Sequence, residues 1–166
     1  MFFYRTKGGD RKEAEQIIAS LQSREDGKHY PTEIIPIRVL EIGLVNEAYE
    51  WAVATVKKQL KKDFTGEAED IVKLQQMLDS GSFNTKQRDA WYAFGTAFGV
   101  ILTNEIDGMD WVTVIEGNQE FPALRFLETE IVINPRELVW NKIKNDKPCN
   151  LAEEFERIKA EVEKVL

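Results

Sequence analysis

Apolar positions along this chain recur mostly at helical spacing. Val45, Tyr49, Ala52, Val56 and Leu60 repeat every three or four residues, with Glu41, Glu47 and Glu50 early and Lys57, Lys58, Lys61 and Lys62 late. This is the order the helix dipole favours, so the pattern predicts one long helix with a single buried face. Ahead of it, Asp10 and Glu13 form a capping-box start for a short helix carrying Ala14, Ile17, Ile18 and Leu21 on one face and ending near Gly27. The intervening HYPTEIIP, His29 to Pro36, holds two prolines and reads as an extended connector. Thr65 to Asp79 repeats the helical pattern with Ala68, Ile71, Leu74 and Leu78, and Gly81 supplies its stop.

A fourth helix is capped by Asn84 with Gln87 reciprocating, and Trp91, Phe94, Phe98 and Ile101 or Leu102 give it a wide apolar face. Gly95 and Gly99 stand four apart on this helix, each costing about 1 kcal/mol of helix propensity relative to alanine. Close approach of another backbone, from a neighbouring helix or the sheet, is the simplest offset, because glycine alone permits it. A ligand lying in the notch is the sharper alternative, with Trp91, Tyr92 and Trp111 as neighbouring aromatics. On the first account, leucine at Gly95 or Gly99 destabilises the protein well beyond an ordinary substitution, whereas variants that melt like the parent would mean that the notch faces solvent or a ligand.

The period then changes. Trp111–Ile115 is rich in β-formers, Gly117-Asn118 fits the first two turn positions of a type II′ hairpin, and Phe121–Phe126 returns alongside. Pro122 assigns that return to an edge or a bulge. Thr129–Ile133 reads as a third strand, covered with the others by the aromatic helix. Asn134, Pro135 and Glu137 open a helix running to about Lys144, and Asn150 caps a last one striped by Leu151, Phe155, Ile158, Val162 and Val165. With barely two heptads, that stripe reads as docking onto its own chain rather than as a dimer seam. The expected architecture is therefore a single α+β domain over 1–166, with about six helices packed on a small, mostly antiparallel three-stranded sheet. It comprises a helical part over 10–80, a helix–sheet–helix core over 84–145, and a C-terminal amphipathic helix over 150–166.

Composition removes several function classes. A net charge of −7 repels phosphate backbones, so nucleic acid is not the expected partner, and the lysines at 57–62 read as a solvated helix end. One His and one Cys cannot furnish a zinc site, which needs three or four such ligands. Asp107-Gly108 sits as in a calcium loop, but Val114 stands where the bidentate Glu belongs. No phosphate loop, dinucleotide fingerprint or hydrolase elbow is present, so no cofactor and no metal is expected. Cys149 precedes the Asn150 cap, where a helix N-terminus can favour thiolate. Its only potential base, His29, lies 120 positions earlier in the connector, so an ordinary small residue is the simpler reading. No apolar run approaches the ~18 residues that span a bilayer, and Met1-Phe2-Phe3-Tyr4-Arg5 is too short for a signal-peptide core. With no second cysteine for an internal disulfide, a cytoplasmic protein is expected.

The succession Trp91, Phe94-Gly95, Phe98-Gly99, Asp107-Gly108, Trp111-Val112, Ala123-Leu124, Thr129 and Pro135 through Ile143 resembles an uncharacterised bacterial family, one of the domains of unknown function, over about residues 84–145. The resemblance brings no activity with it. In size, charge and style, though not in motif, the chain is also similar to the immunity proteins that bacteria make against delivered toxins. The expected function is accordingly non-enzymatic protein binding, most concretely neutralisation of a basic toxin domain. The contact would be an acidic rim at Asp107, Asp110, Glu116, Glu120, Glu128 and Glu130. The alternative is a small-ligand binder or enzyme using a pocket near the Gly95/Gly99 notch, beside Trp91 and Trp111.

Overall fold

The computed structural model describes residues 32–166, so the helix expected near residues 10–27 and the candidate base His29 lie outside the described residues. The described chain is α+β. In order it contains β1 (Thr32–Pro36), α1 (Val39–Leu60), a 3-10 turn (Ala68–Asp70), α2 (Ile71–Asp79), α3 (Arg88–Glu105), β2 (Met109–Glu116), β3 (Gln119–Phe126), β4 (Val132–Ile133), α4 (Pro135–Lys144) and α5 (Leu151–Lys164). These elements divide into two compact units. The first contains residues 32–44 and 108–134, and the second contains 45–107 and 135–166.

The first unit is built on a four-stranded antiparallel sheet in the order β1-β2-β3-β4, one strand more than the sequence pattern indicates. The added strand is β1, where the prolines suggest a connector. Pro36 is tolerated because β1 pairs only with β2 among the described residues, and an outer strand does not need every amide. Gly117 takes φ +62 while Asn118 stays out of the left-handed region, as a type II′ turn requires. Pro122 pairs with Thr113 in the stretch of β3 that β4 does not reach. Strand pairing beyond β3 is shorter than expected, covering Val132–Ile133 alone. Both faces of the central pair are buried: Val112 and Val114 on one, Met109, Trp111 and Thr113 on the other. WVTVI is a continuous run suited to two-sided burial rather than a half-solvated strand. Ile34, Val112, Val114, Phe121, Ala123 and Val132 form one apolar cluster.

The second unit is helical. Here α3 packs mainly on α4, and α2 packs against both α3 and α5. Buried Phe94, Phe98, Ile101 and Leu102 supply its centre, and Trp51, Phe83, Trp91 and Phe94 form a chain of edge-to-face and tilted rings with centroids 5.3–6.2 Å apart. Two helix starts fall later than the sequence suggests. Asn84 and Gln87 do bond reciprocally, through the Asn84 N–H to Gln87 Oε1 (2.8 Å) and the Gln87 N–H to the Asn84 carbonyl (3.1 Å). They close a separate turn, and α3 begins at Arg88. Before α2, the Asp70 carboxylate turns back onto the amides of Thr65, Gly66 and Glu67 (2.7, 2.9 and 3.4 Å), so residues 65–67 are held as a loop. At the last helix Asn150 caps as expected, accepting from Glu153 N–H at 3.1 Å. Gln75 adds a long-range clamp, accepting from Leu151 N–H and donating to the Cys149 carbonyl, both at 2.9 Å.

Candidate functional site

Of the six acids expected to form one rim, the structure gathers only some. Glu116 is buried, 7% exposed, on the sheet face opposite Glu120, and Asp107 belongs to the helical unit. Glu120 is exposed but committed: Arg38 Nη2 donates to it at 3.0 Å and holds its carboxyl below the usual range. Arg38 in turn donates from Nε to buried Glu41 at 2.6 Å, and Glu41 also accepts from Thr113 Oγ1 at 2.8 Å. The Thr113 hydroxyl accepts from Arg38 N–H at 3.1 Å, which closes a ring of polar contacts across the sheet. This ring pins the start of α1, and the Glu41 Oε2 atom is left buried without a partner. Sequence reading marks Glu41 only as an early acid that the helix dipole favours, yet Glu41 is buried while Val39 and Leu40 are exposed.

Asp110, Glu128 and Glu130 stand at the other end of the sheet, six positions from Glu116 along β2, or roughly 20 Å at strand rise. Here the residues expected to begin a third strand form a tight turn instead, and the cause is Arg125. Its guanidinium, on a residue only 5% exposed, donates from Nε to the Thr129 carbonyl (2.8 Å) and from Nη2 to the Glu128 carbonyl (3.1 Å). Those carbonyls are thereby drawn out of strand geometry. The turn is tied further by Leu127 N–H to the Gly108 carbonyl (2.9 Å), Phe126 N–H to the Ile131 carbonyl (3.0 Å), and Thr129, whose N–H and hydroxyl both reach the Phe126 carbonyl. Leu127 adopts φ +48 and lies against Gly108. Glu128 and Glu130 point outward from this frame and, among the described residues, have no cationic partner. Asp110 faces Arg125 in the register and accepts from Trp111 N–H at 3.0 Å.

The glycine notch lies in the helical unit. A Cβ on Gly95 would stand 2.4 Å from the Pro135 carbonyl oxygen and 2.8 Å from Arg136 Cα, so the first turn of α4 occupies that face of α3. Gly99 is buried as well, Trp91 is buried with its indole N–H on the Asn84 carbonyl (2.9 Å), and Trp111 is buried in the sheet unit. Because α4 comes so near, Arg136 reaches over the Tyr92 ring, with its guanidinium carbon 4.7 Å from the centroid. Arg88, one turn before Tyr92, stands 5.4 Å from the same centroid. The Tyr92 hydroxyl donates to Glu137, and burial followed by that bond pushes its pKa up to about 12. Burial also lowers the pKa of Arg136, whose Nε is buried without an acceptor. The sequence offered Tyr92 as a pocket aromatic but gave no sign of either arginine.

Cys149 is buried, and burial pushes its thiol up to about 11, the direction opposite to an activated nucleophile. Among the described residues no cluster of three or more His, Cys, Asp or Glu could hold a metal, and no helix is long and apolar enough to cross a membrane.

The fold and its surface define an α+β protein whose helix–sheet–helix core matches a recognised family. Residues 70–155 match the family described as Domain of unknown function (DUF3806), and the chain belongs to that family. The match contains the whole block from Asn84 to Lys144 that the sequence resemblance covers. Residues 2–46 match a second family, Domain of unknown function (DUF3805), so the N-terminal stretch has relatives that its sequence pattern did not suggest. The chain is also similar to a protein from Bacteroides thetaiotaomicron VPI-5482 whose crystal structure is known at 1.50 Å resolution, with 49% identity and a TM-score of 0.73. That similarity covers 90% of this chain but 55% of the other, so the chain spans about half the length of this relative. No curated protein matches.

Proposed function

We propose that this is a non-enzymatic protein-binding protein, and most concretely a cytoplasmic immunity protein that covers a basic toxin domain. The observation that carries the reading is the Leu127–Ile131 turn. Seven hydrogen bonds, two of them from the buried Arg125 guanidinium, hold Glu128 and Glu130 outward on a frame that has little freedom left to lose on binding. Unpaired carboxylates on such a frame suit a cationic partner surface, and a net charge of −7 steers that partner inward. A toxin acting on nucleic acid carries a surface of that sign. Half-exposed Leu127 adds an apolar contact beside the two acids. Glu116 and Glu120 have no part in this surface, the first through burial and the second through Arg38.

The test is whether a basic toxin-like domain is encoded beside this chain and, with that domain in hand, the kinetics of its association. Glu128→Lys with Glu130→Lys should slow association about tenfold at low salt and much less at high salt, since the loss is one of steering. Glu163→Lys, an exposed acid on the last helix, should change the rate little. Equal association and equal protection from the double variant would overturn the assignment of this turn. Absence of any complex with such a partner would overturn the immunity reading.

A further inference from the structure

We propose that the chain's own N-terminal segment, residues 10–27, docks as an amphipathic helix on the exposed apolar face at the start of α1. The inference depends neither on the toxin reading nor on the Leu127–Ile131 turn.

The first two turns of α1 are inverted for a helix that faces water. At 3.6 residues per turn Val39, Leu40 and Leu44 fall on one side, and they stand 85%, 64% and 40% exposed. Glu41 falls on the other side and is fully buried. Burying a carboxylate while leaving aliphatic side chains in water is unfavourable on both counts. A helix free to turn about its axis would exchange the two faces. Arg38 and Thr113 prevent this by donating to the Glu41 carboxylate at 2.6 and 2.8 Å, so α1 is fixed with its apolar side outward. Exposed aliphatic clusters mark contact surfaces, and this one is held in place by a polar clamp behind it.

The occupant is selected by a family match, by chain length and by pattern. The match to the second family runs from residue 2 to residue 46, so it takes in 10–27, β1 and this face as one block and ends two residues beyond Leu44. Residues 10–27 lead into β1 through 28–31, a length that commonly joins a helix to a strand. β1 has five residues and extends roughly 17 Å. A helix running back from Gly27 along β1 covers that distance in about eleven residues, which brings Ala14, Ile17 and Ile18 level with Val39 and Leu40. These are the apolar positions of the segment, and aliphatic side chains on two packed helices interdigitate. A short amphipathic helix is marginal by itself, so the segment and the face each supply what the other lacks.

Two experiments on the full chain test this. In hydrogen–deuterium exchange, the amides of residues 14–21 should exchange at least about tenfold more slowly than those of an unstructured chain. Leu40→Asp, at an exposed position in a first helical turn that favours an acid, should return them to the unstructured rate while the β2 and β3 amides keep their protection. In disulfide trapping, Ile17→Cys with Leu40→Cys should close within one chain at least about tenfold faster than Gln16→Cys with Leu40→Cys, because Gln16 is on the opposite side of the segment. Cys149 is buried and does not compete. If Leu40→Asp also strips protection from β2 and β3, the trapping decides alone. Unprotected amides at 14–21, protection that Leu40→Asp leaves intact, or equal trapping of the two pairs would each overturn the proposal. A disulfide formed between chains, in a dimer that dissociates on dilution, would overturn it in favour of a second copy on this face.

Discussion

Alanine at Gly95 and alanine at Gly43 should change stability in opposite directions, although both glycines sit inside helices and intrinsic propensity treats them alike. Either substitution gains about 1 kcal/mol from replacing glycine in a helix interior. At Gly43 nothing lies within 4 Å of the new Cβ, so most of that gain survives and the protein is stabilised by roughly 0.5–1 kcal/mol. At Gly95 the new Cβ would stand 2.4 Å from the Pro135 carbonyl oxygen and 2.8 Å from Arg136 Cα, where van der Waals contact needs well over 3 Å. Both obstacles are backbone and cannot rotate away, so α4 must shift, and overpacking of this kind costs about 1–3 kcal/mol or more. A contact of 2.4 Å with backbone belongs at the upper end of that range, so after the propensity gain the net loss is about 1–2 kcal/mol, and it is larger for Gly95→Leu. Urea unfolding followed by far-UV circular dichroism reads this directly: the midpoint should rise for Gly43→Ala and fall for Gly95→Ala, with slopes unchanged. If Gly95→Ala unfolds at or above the parent's midpoint, propensity alone governs the site. The close approach of α4, and the placement of Arg136 that depends on it, would then be refuted.

Two further outcomes follow from buried ionisable groups. Burial pushes the Asp70 carboxyl up, but the Lys73 ammonium at 2.6 Å and three backbone amides outweigh it and leave the pKa below the ordinary value. A folded pKa beneath the unfolded one contributes stability above about pH 4 that is lost as pH falls through the folded value. Asp70→Asn should therefore cost about 2 kcal/mol at pH 7 and flatten the acid limb of a stability–pH curve; an unchanged limb would show that Asp70 does not carry it. Cys149, with its thiol near 11, should be alkylated by iodoacetamide at pH 8 at least about a hundredfold more slowly than a free thiol of pKa about 8.5, while labelling normally in urea. Labelling of the native protein at the free-thiol rate would contradict its burial.

The sequence by itself determined what depends on local chemistry. Helical periodicity located α1 through Val45, Ala52 and Val56, the Asn150 cap fixed the start of α5, and Gly117-Asn118 specified the hairpin between β2 and β3. Each rests on residues within a few positions of one another, where dihedral preference and side-chain spacing are decisive. Tertiary structure decided the rest. β1 is a strand because β2 offers its edge, although its prolines signal a connector. Thr129–Ile131 leaves the sheet because a guanidinium on Arg125 takes its carbonyls, and α2 starts late because Asp70 binds the amides before it. Charged residues resist sequence reading for the same reason. Glu41, Arg125 and Arg136 carry no local mark that separates them from solvated neighbours, and their roles come from partners up to 72 positions away or from the lack of one. Burial turns an ordinary charge into a clamp or an open donor, and only the packed chain determines which groups are buried together.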